Sequence, residues 1–331
     1  MERSQPQRIV GESSVLSDVL DQVSLLAPIN RPVLITGERG TGKELIAERL
    51  HYLSGRWDQP FLKINCGAIN ENLLDADLFG YEPGAFTGAN RTHQGRFERA
   101  DGGTLFLDEL ANMSSALQEK LLRIIEYGEF ERLGGQQTRY VDVRIVAATN
   151  ENLPGLAAQG DFRKDLLDRL AFDVLTLPPL RARGSDIERL AEHFAIGMSI
   201  ELGRESFPGF GDNALRQLYA HPFHGNIREL KNVIERSLYR WQEADQPVDA
   251  LILDPFASPW LETEKPGKLP QTDLSTGFGE LVARYEQALL EQALDSNDRH
   301  QGKAADALGL SYHQFRSQLK KHGIIGQPKG L

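Results

Sequence analysis

Seven consecutive residues carry the first chemical signal. Gly37, Glu38, Arg39, Gly40, Thr41, Gly42 and Lys43 follow the apolar run PVLIT and precede the helical pattern ELIAERL. Glycines at this spacing let backbone N–H groups close around phosphate oxygens, and the helix that follows offers its positive end. Lys43 is placed to reach the outer phosphates of a nucleotide. Glu44 stands where the pattern ordinarily has a Ser or Thr whose hydroxyl meets magnesium, which leaves the detail of metal ligation open. A second apolar run, GGTLFL, ends in Asp108 and Glu109. Successive residues of a strand point opposite ways, so one carboxylate can sit near Mg2+ (Asp108) while the other polarises an attacking water (Glu109). Thr149 and Asn150 close another buried run with groups able to sense a terminal phosphate, and Asn65 in KINCGAIN is placed to hold Glu109 by a hydrogen bond. Arg163 and Arg169 lie six apart in DFRKDLLDRL; planar multi-donor cations of this kind stabilise charge spreading over phosphoryl oxygens, here from a neighbouring subunit.

Such residues need a scaffold that delivers strand ends to one edge. Short β-rich runs at 33–36, 61–66, 104–107, 143–147 and 174–177 alternate with helical patterns, which predicts an α/β fold with a parallel sheet covered on both faces. An amphipathic helix opens it: Val15, Leu16, Val19, Leu20, Val23 and Leu26 recur at helical spacing between a capping Ser13 or Ser14 and Pro28. From 186 to 240 the pattern is helical only, as in a small lid. Pro255, Pro259, Pro266 and Pro270 lie among Ser, Thr, Lys and Glu and suit a semi-stiff linker. The expected divisions are an α/β subdomain over 1–180, a helical lid over 181–253, a linker over 254–277 and a small all-α module over 278–331.

The chain has 331 residues and a net charge of −10, which argues against a surface coated throughout for nucleic acid. Charge is uneven: Arg299, Lys303, Arg316, Lys320 and Lys321 face a single acid, Asp306, between 299 and 321. No run is long and apolar enough for a membrane span, and the start has no signal-peptide pattern. Cys66 is the single cysteine; it reads as a small buried apolar residue, and the whole pattern as cytoplasmic.

The C-terminal module has its own pattern. Leu281, Tyr285, Ala288, Leu289 and Ala293 mark one helix; small Ala304 and Ala305, Gly309 at a turn, and Leu308, Leu310, Phe315 and Leu319 mark two more. Ser311 with Gln314 three residues later is a capping box. Ser311, Tyr312, His313, Gln314, Arg316 and Lys320 would then face the major groove or its flanking phosphates, as in a helix-turn-helix.

GERGTGKE, GYEPGAFTGA, GGTLFLDEL, AATN, LLDRLAFDVLTLPPLRAR and HGNIREL resemble, in that order, the central AAA+ domain of bacterial enhancer-binding proteins that activate sigma-54 RNA polymerase. The similarity spans about residues 9 to 240, and its most specific element is GAFTGA. It implies ATP and Mg2+ as cofactors, a P-loop ATPase fold with a helical lid, and a homo-oligomeric ring, a hexamer. By the same resemblance Lys43 would contact phosphate, Asp108 and Glu109 would form the Walker B pair, Asn65 would restrain Glu109, Thr149 and Asn150 would belong to sensor I, and Arg228 to sensor II. Arg163 and Arg169 would act as arginine fingers in trans. Gly84, Ala85, Phe86, Thr87, Gly88 and Ala89 would form the loop that meets sigma-54, with Arg132 and Leu133 in a second pore-facing loop. The physical sense of the first loop is direct: a buried apolar ring gives a contact worth roughly 1.5 to 3 kcal/mol, and flanking glycines let the backbone change shape. The C-terminal helices resemble the factor-for-inversion-stimulation type used to bind enhancer DNA. With fewer than a dozen residues before the first matched motif, control is expected to come from another protein. The layout resembles the phage-shock branch of the family, whose negative regulator is phage shock protein A, and Trp57 is the candidate contact for a regulator of that kind. Two other readings are a different AAA+ remodelling ATPase and a DNA-binding repressor with a vestigial nucleotide site.

Overall fold

The computed structural model describes residues 9–257, 260, 277–297 and 299–325. They fall into two compact units, Met1–Pro255 and Phe256–Leu331. In the first, α1 (Ser14–Leu26) leads to β1 (Val33–Thr36), and α2 (Lys43–Tyr52) to β2 (Phe61–Asn65). An arm follows, made of α3 (Glu71–Phe79), the short antiparallel strands β3 (Gly80–Tyr81) and β4 (His93–Gln94), and α4 (Arg96–Arg99). The chain returns through β5 (Thr104–Asp108), α5 (Ser115–Tyr127), a second small hairpin of β6 (Glu129–Phe130) and β7 (Arg139–Tyr140), then β8 (Arg144–Thr149), α6 (Leu153–Gln159), α7 (Lys164–Leu170) and β9 (Val174–Thr176).

Five strands form one sheet in the order β2-β5-β8-β1-β9, each parallel to its neighbours. Their side chains alternate between two buried layers. Leu34, Leu105, Leu107, Ile145 and Ala147 pack with α3, α5 and α7, whereas Val33, Ile35, Phe106, Val146 and Ala148 pack with α1 and α2. Burial on both faces is why the strands read as continuous apolar runs in the sequence. A truncation such as Phe106→Ala in this interior costs about 3–5 kcal/mol. Because every strand runs the same way, Thr36, Asn65, Asp108 and Thr149 all finish at one edge, with Thr36 level with Thr149 and Asn65 level with Asp108. Strand ends lie within two residues of the expected ones. Cys66 falls just past β2, buried, and that burial pushes its thiol up to about 12.

Three helices complete this unit: α8 (Gly184–Glu201), α9 (Asp212–Ala220) and α10 (Asn226–Arg240). They share a core of Ile187, Leu190, Leu218, Leu230, Val233, Ile234 and Leu238, against which Val10 also packs. The second unit contains α11 (Phe278–Asp295), α12 (Gln301–Ala307) and α13 (Tyr312–Lys321) around Leu290, Leu294, Ala304, Ala305, Phe315 and Leu319. Here one expectation is corrected. Of the stripe read along α11, only Ala293 is buried; Leu290 and Leu294 supply the rest of its core face, and Tyr285 is exposed. The helix outruns the two short partners it packs on, so periodicity predicted a longer buried stripe than they can cover. Of the linker expected over 254–277, residues 258–259 and 261–276 lie outside the described residues.

Candidate functional site

The phosphate loop leaves β1 and enters α2 through three glycines at positive φ: Gly37 at 152°, Gly40 at 78° and Gly42 at 95°. A side chain at Gly40 would collide with the Gly225 carbonyl, 2.3 Å from where its Cβ would stand, so loop and lid meet backbone to backbone. Lys43 donates to the loop's own carbonyls, Gly37 at 2.8 Å and Glu38 at 3.0 Å, and the Thr41 hydroxyl donates to Glu38 at 2.9 Å. Burial pushes the Lys43 ammonium below its usual pKa, against the pull of Asp108. Thus the cation that would meet phosphate is half-desolvated and held in place by the loop.

Glu38 and Arg39 contribute backbone to this loop, but their side chains do other work. The Glu38 carboxylate accepts from Arg181 at 2.9 Å and from the buried Asn226 at 3.0 Å. These hydrogen bonds, from Arg181 first, drive its pKa down to about 2. Asn226 is the hub: its amide donates also to the Arg39 carbonyl at 2.9 Å, its oxygen accepts from Leu180 N–H at 2.8 Å, and Ile227 N–H reaches the Gly40 carbonyl at 3.0 Å. Arg181 and Asn226 were not among the residues singled out from the sequence, although they lie inside the quoted LLDRLAFDVLTLPPLRAR and HGNIREL.

Asp108 ends β5 with its Oδ1 accepting from Glu109 N–H at 2.9 Å, and burial raises its pKa. Glu109 corrects the strand-alternation argument: it lies beyond the strand at φ 52°, so a left-handed turn, and not the pleat, separates the two carboxylates. Asn65 is also corrected. Its oxygen accepts from Gly67 N–H at 2.8 Å, and Glu109 is instead met by Asn112 at 3.3 Å and by Arg39 at 4.0 Å. A two-residue turn after β2 captures the short Asn side chain before it can span the gap. Gly67 clears the space, since a Cβ there would stand 2.3 Å from Glu109 Oε2. Thr149 is buried, and its Oγ1 accepts from Glu151 N–H at 3.0 Å; Asn150 donates to the Glu151 carboxylate at 2.9 Å. Glu44, at the position of the usual hydroxyl, pairs with Lys63 at 2.8 Å.

A groove of about 1150 Å³ is lined by Gly40, Gly42, Lys43, Glu44 and Asp108 on one side and by Arg228 and Ile227 of the lid on the other. It extends along α2 to Trp57, which is 56% exposed. A smaller cavity of about 130 Å³ adjoins the phosphate loop at Thr41 and Gly42 and is otherwise mostly apolar, with Ile9, Val10, Leu190, Phe194 and Ile227 in its walls. Its members come from four separate stretches, and no local pattern announces them. Arg163 and Arg169 line neither cavity. Arg163 pairs with Asp165 at 2.8 Å and Glu119 at 3.3 Å, and Arg169 with Glu126 at 2.7 Å.

The GAFTGA loop caps the arm between β3 and β4. Gly84 and Gly88 have φ of 86° and 99°, Gly84 N–H reaches the Ala89 carbonyl at 2.8 Å, and Ala89 is buried. Phe86 is 46% exposed, its ring edge-on to Tyr81 at 4.9 Å; Ala85 is partly exposed, and Thr87 projects to solvent. Arg132, read as pore-facing, is corrected to a buried strut. It is 7% exposed and forks onto Glu98 at 2.6 and 2.7 Å and onto Glu82 at 2.8 Å, and these bonds raise its pKa further. Leu133 pairs with the arm through backbone bonds to Gly80 and Glu82, each 3.0 Å. Two carboxylates on the arm offset the charge of the buried guanidinium, and removing either would leave that charge under-compensated.

In the second unit the capping box forms: Ser311 Oγ accepts from Gln314 N–H at 3.3 Å, and Gln314 Oε1 accepts from Ser311 N–H at 3.0 Å. The side chains of Ser311 and Gln314 are therefore committed to opening α13. Tyr312, His313, Arg316 and Lys320 are exposed on it.

Comparison with known proteins agrees with this geometry. The model of the sigma-54 interaction domain matches residues 9–176, and that of the AAA+ ATPase lid domain matches 181–254. The Psp operon transcriptional activator of Escherichia coli strain K12 is 55% identical over 320 residues, covering 96% of this chain and 98% of its own. Nitrogen fixation protein AnfA of Azotobacter vinelandii is 39% identical over 327 residues, and this chain spans 59% of its length. Among solved structures, NtrX from Brucella abortus in complex with ATP has a TM-score of 0.70 at 32% identity, over 96% of this chain and 70% of that one. On these grounds the chain belongs to the sigma-54 activator family of AAA+ ATPases, defined by the sigma-54 interaction domain.

Proposed function

We propose that this chain hydrolyses ATP to remodel the sigma-54 RNA polymerase closed complex into an open complex, at the phage shock operon, while its C-terminal helices hold enhancer DNA. One observation carries the reading: a complete phosphate-loop cleft and an exposed Phe86 on a glycine-hinged arm occur in a single compact unit.

The residues fit the nucleotide and its metal. Positive-φ glycines leave backbone N–H groups free to face phosphates, and Lys43 has only loop carbonyls to give up. Among the described residues the second oxygen of the Asp108 carboxylate takes no hydrogen bond, and burial raises its pKa, as suits a hard divalent cation. Mg2+ would supply charge neutralisation between the outer phosphates. Glu109 orients and polarises water, Arg228 reads phosphate from the lid, and Thr149 with Asn150 links phosphate to the turn after β8. Arg163 and Arg169, paired outside the cleft, reach the cleft of the next subunit in a ring, a hexamer, where phosphate replaces Glu119, Asp165 and Glu126. Motion of the cleft passes to the arm, and Phe86 with Thr87 presses on sigma-54. Exposed Tyr312, His313, Arg316 and Lys320 take DNA, and Trp57 takes a negative regulator resembling phage shock protein A.

An in vitro promoter-opening assay tests this reading. Open complexes should require this chain, sigma-54 and hydrolysable ATP together, and phage shock protein A should slow hydrolysis by wild type but not by Trp57→Ala. Opening that proceeds without ATP or with a different sigma factor would contradict it.

A further inference from the structure

Residues 9–13 form a strap that joins α1 to the lid through a buried ionic cluster. Asp186, in the first turn of α8, has no exposed surface. Its carboxylate accepts from Glu12 N–H at 2.6 Å, Ser13 N–H at 2.8 Å, the Ser13 hydroxyl at 2.6 Å and Arg183 Nε at 2.9 Å. Arg183, itself buried, donates from Nη2 to the Val10 carbonyl at 3.2 Å. Burial alone would raise the Asp186 pKa, but these donors hold it low, so the charge stays. Ser13 occupies the N-cap of α1, yet its hydroxyl turns to Asp186 and leaves the helix uncapped by a side chain. Gly11 brings the strap flush with the pair: a Cβ at this residue, whose φ is 146°, would stand 2.7 Å from Arg183 Nη2 and from Asp186 Oδ2.

Four charge-assisted bonds fasten the strap to the lid, and its position says what it serves. Ile9, Val10 and Leu16 form one wall of the 130 Å³ cavity that opens beside Thr41 and Gly42 of the phosphate loop. Phe194 and Leu190, from the same helix as Asp186, form the facing wall. We infer that Asp186 and Arg183 are positioning residues for the base of the nucleotide: they fix the strap as a cavity wall that travels with the lid. This rests on the nucleotide reading above. In general terms, an apolar slot next to a phosphate site binds a planar base, and the slot exists only while both walls are in register.

The discriminating experiment compares two ligands that share phosphates and differ in the base. Dissociation constants for ATP and for inorganic tripolyphosphate are measured by calorimetry on wild type, Asp186→Asn and Ser13→Ala, with thermal unfolding alongside. The inference predicts that ATP binds about tenfold more weakly to Asp186→Asn and a few-fold more weakly to Ser13→Ala, while tripolyphosphate changes by less than about twofold. Equal weakening of both ligands, or unchanged ATP affinity, overturns it. Should Asp186→Asn fail to fold, Ser13→Ala, which removes one hydroxyl, decides the matter on the same criterion. Wild type that binds neither ligand would instead sink the nucleotide reading, and this inference with it.

Discussion

Two loops of this protein are built on glycine, and they use it for opposite ends. In the phosphate loop, Gly40 stands where the Gly225 backbone leaves no room for a Cβ, and a Cβ on Gly37 would stand 3.1 Å from that of Leu177. In the GAFTGA loop, nothing lies within 4 Å of where a Cβ on Gly84 or Gly88 would stand. All four have positive φ. The first pair gives close approach and a fixed cradle; the second gives a hinge with space around it. The lesson is that one chain uses glycine both where the backbone must be packed close and fixed and where it is left room to change shape.

The comparison can be broken at either end. If Arg169 serves the neighbouring subunit as proposed, Arg169→Ala should lower the hydrolysis rate by roughly 10³-fold while leaving ATP affinity nearly unchanged; steady-state kinetics with a binding titration check this. Gly40→Ala should weaken ATP binding by more than about tenfold and lower the unfolding midpoint, since it adds a backbone clash to the roughly 1–2 kcal/mol cost of a left-handed non-glycine residue. Gly84→Ala incurs only that conformational cost. It should keep hydrolysis within about twofold of wild type and reduce promoter opening, and an equal effect of the two glycine changes on hydrolysis would erase the distinction drawn here.

The smallest effect is one of pH. His51 is buried on α2, behind the phosphate loop, stacked on Phe61 at 4.9 Å, and burial followed by the nearby Arg144 lowers its pKa from 6.5 to about 4. The unfolded chain therefore takes up the proton first. Its contribution is full above pH 6.5 and falls away between pH 6.5 and about 4, by at most about 3 kcal/mol. The Glu38 pair behaves with the same sign but lower down: with its pKa depressed from 4.5 to about 2, it weakens only across that window. Chemical denaturation at a series of pH values should show the first loss in wild type and not in His51→Gln.

Much of this was legible in the sequence because it is local. The strand ends, the glycine spacing, the Ser311 and Gln314 box and the GAFTGA loop each follow from a few adjacent residues. What was hidden depends on distant pairing. Asn226 meets Glu38 across 188 positions, and Asp186 meets Ser13 across 173. Arg132 was misread for the same reason: a charged residue near a loop looks exposed until Glu98 and Glu82 are brought around it. Asn65 and Glu109 show the opposite failure, in which a plausible long-range bond yields to a nearer turn.

The central claim is that hydrolysis in the cleft is converted to promoter opening through Phe86. Its most direct test measures ATP turnover and open-complex formation side by side for Phe86→Ala. The account predicts turnover within about twofold of wild type and open complexes lost. Opening at the wild-type level, or turnover lost in step with opening, would contradict it.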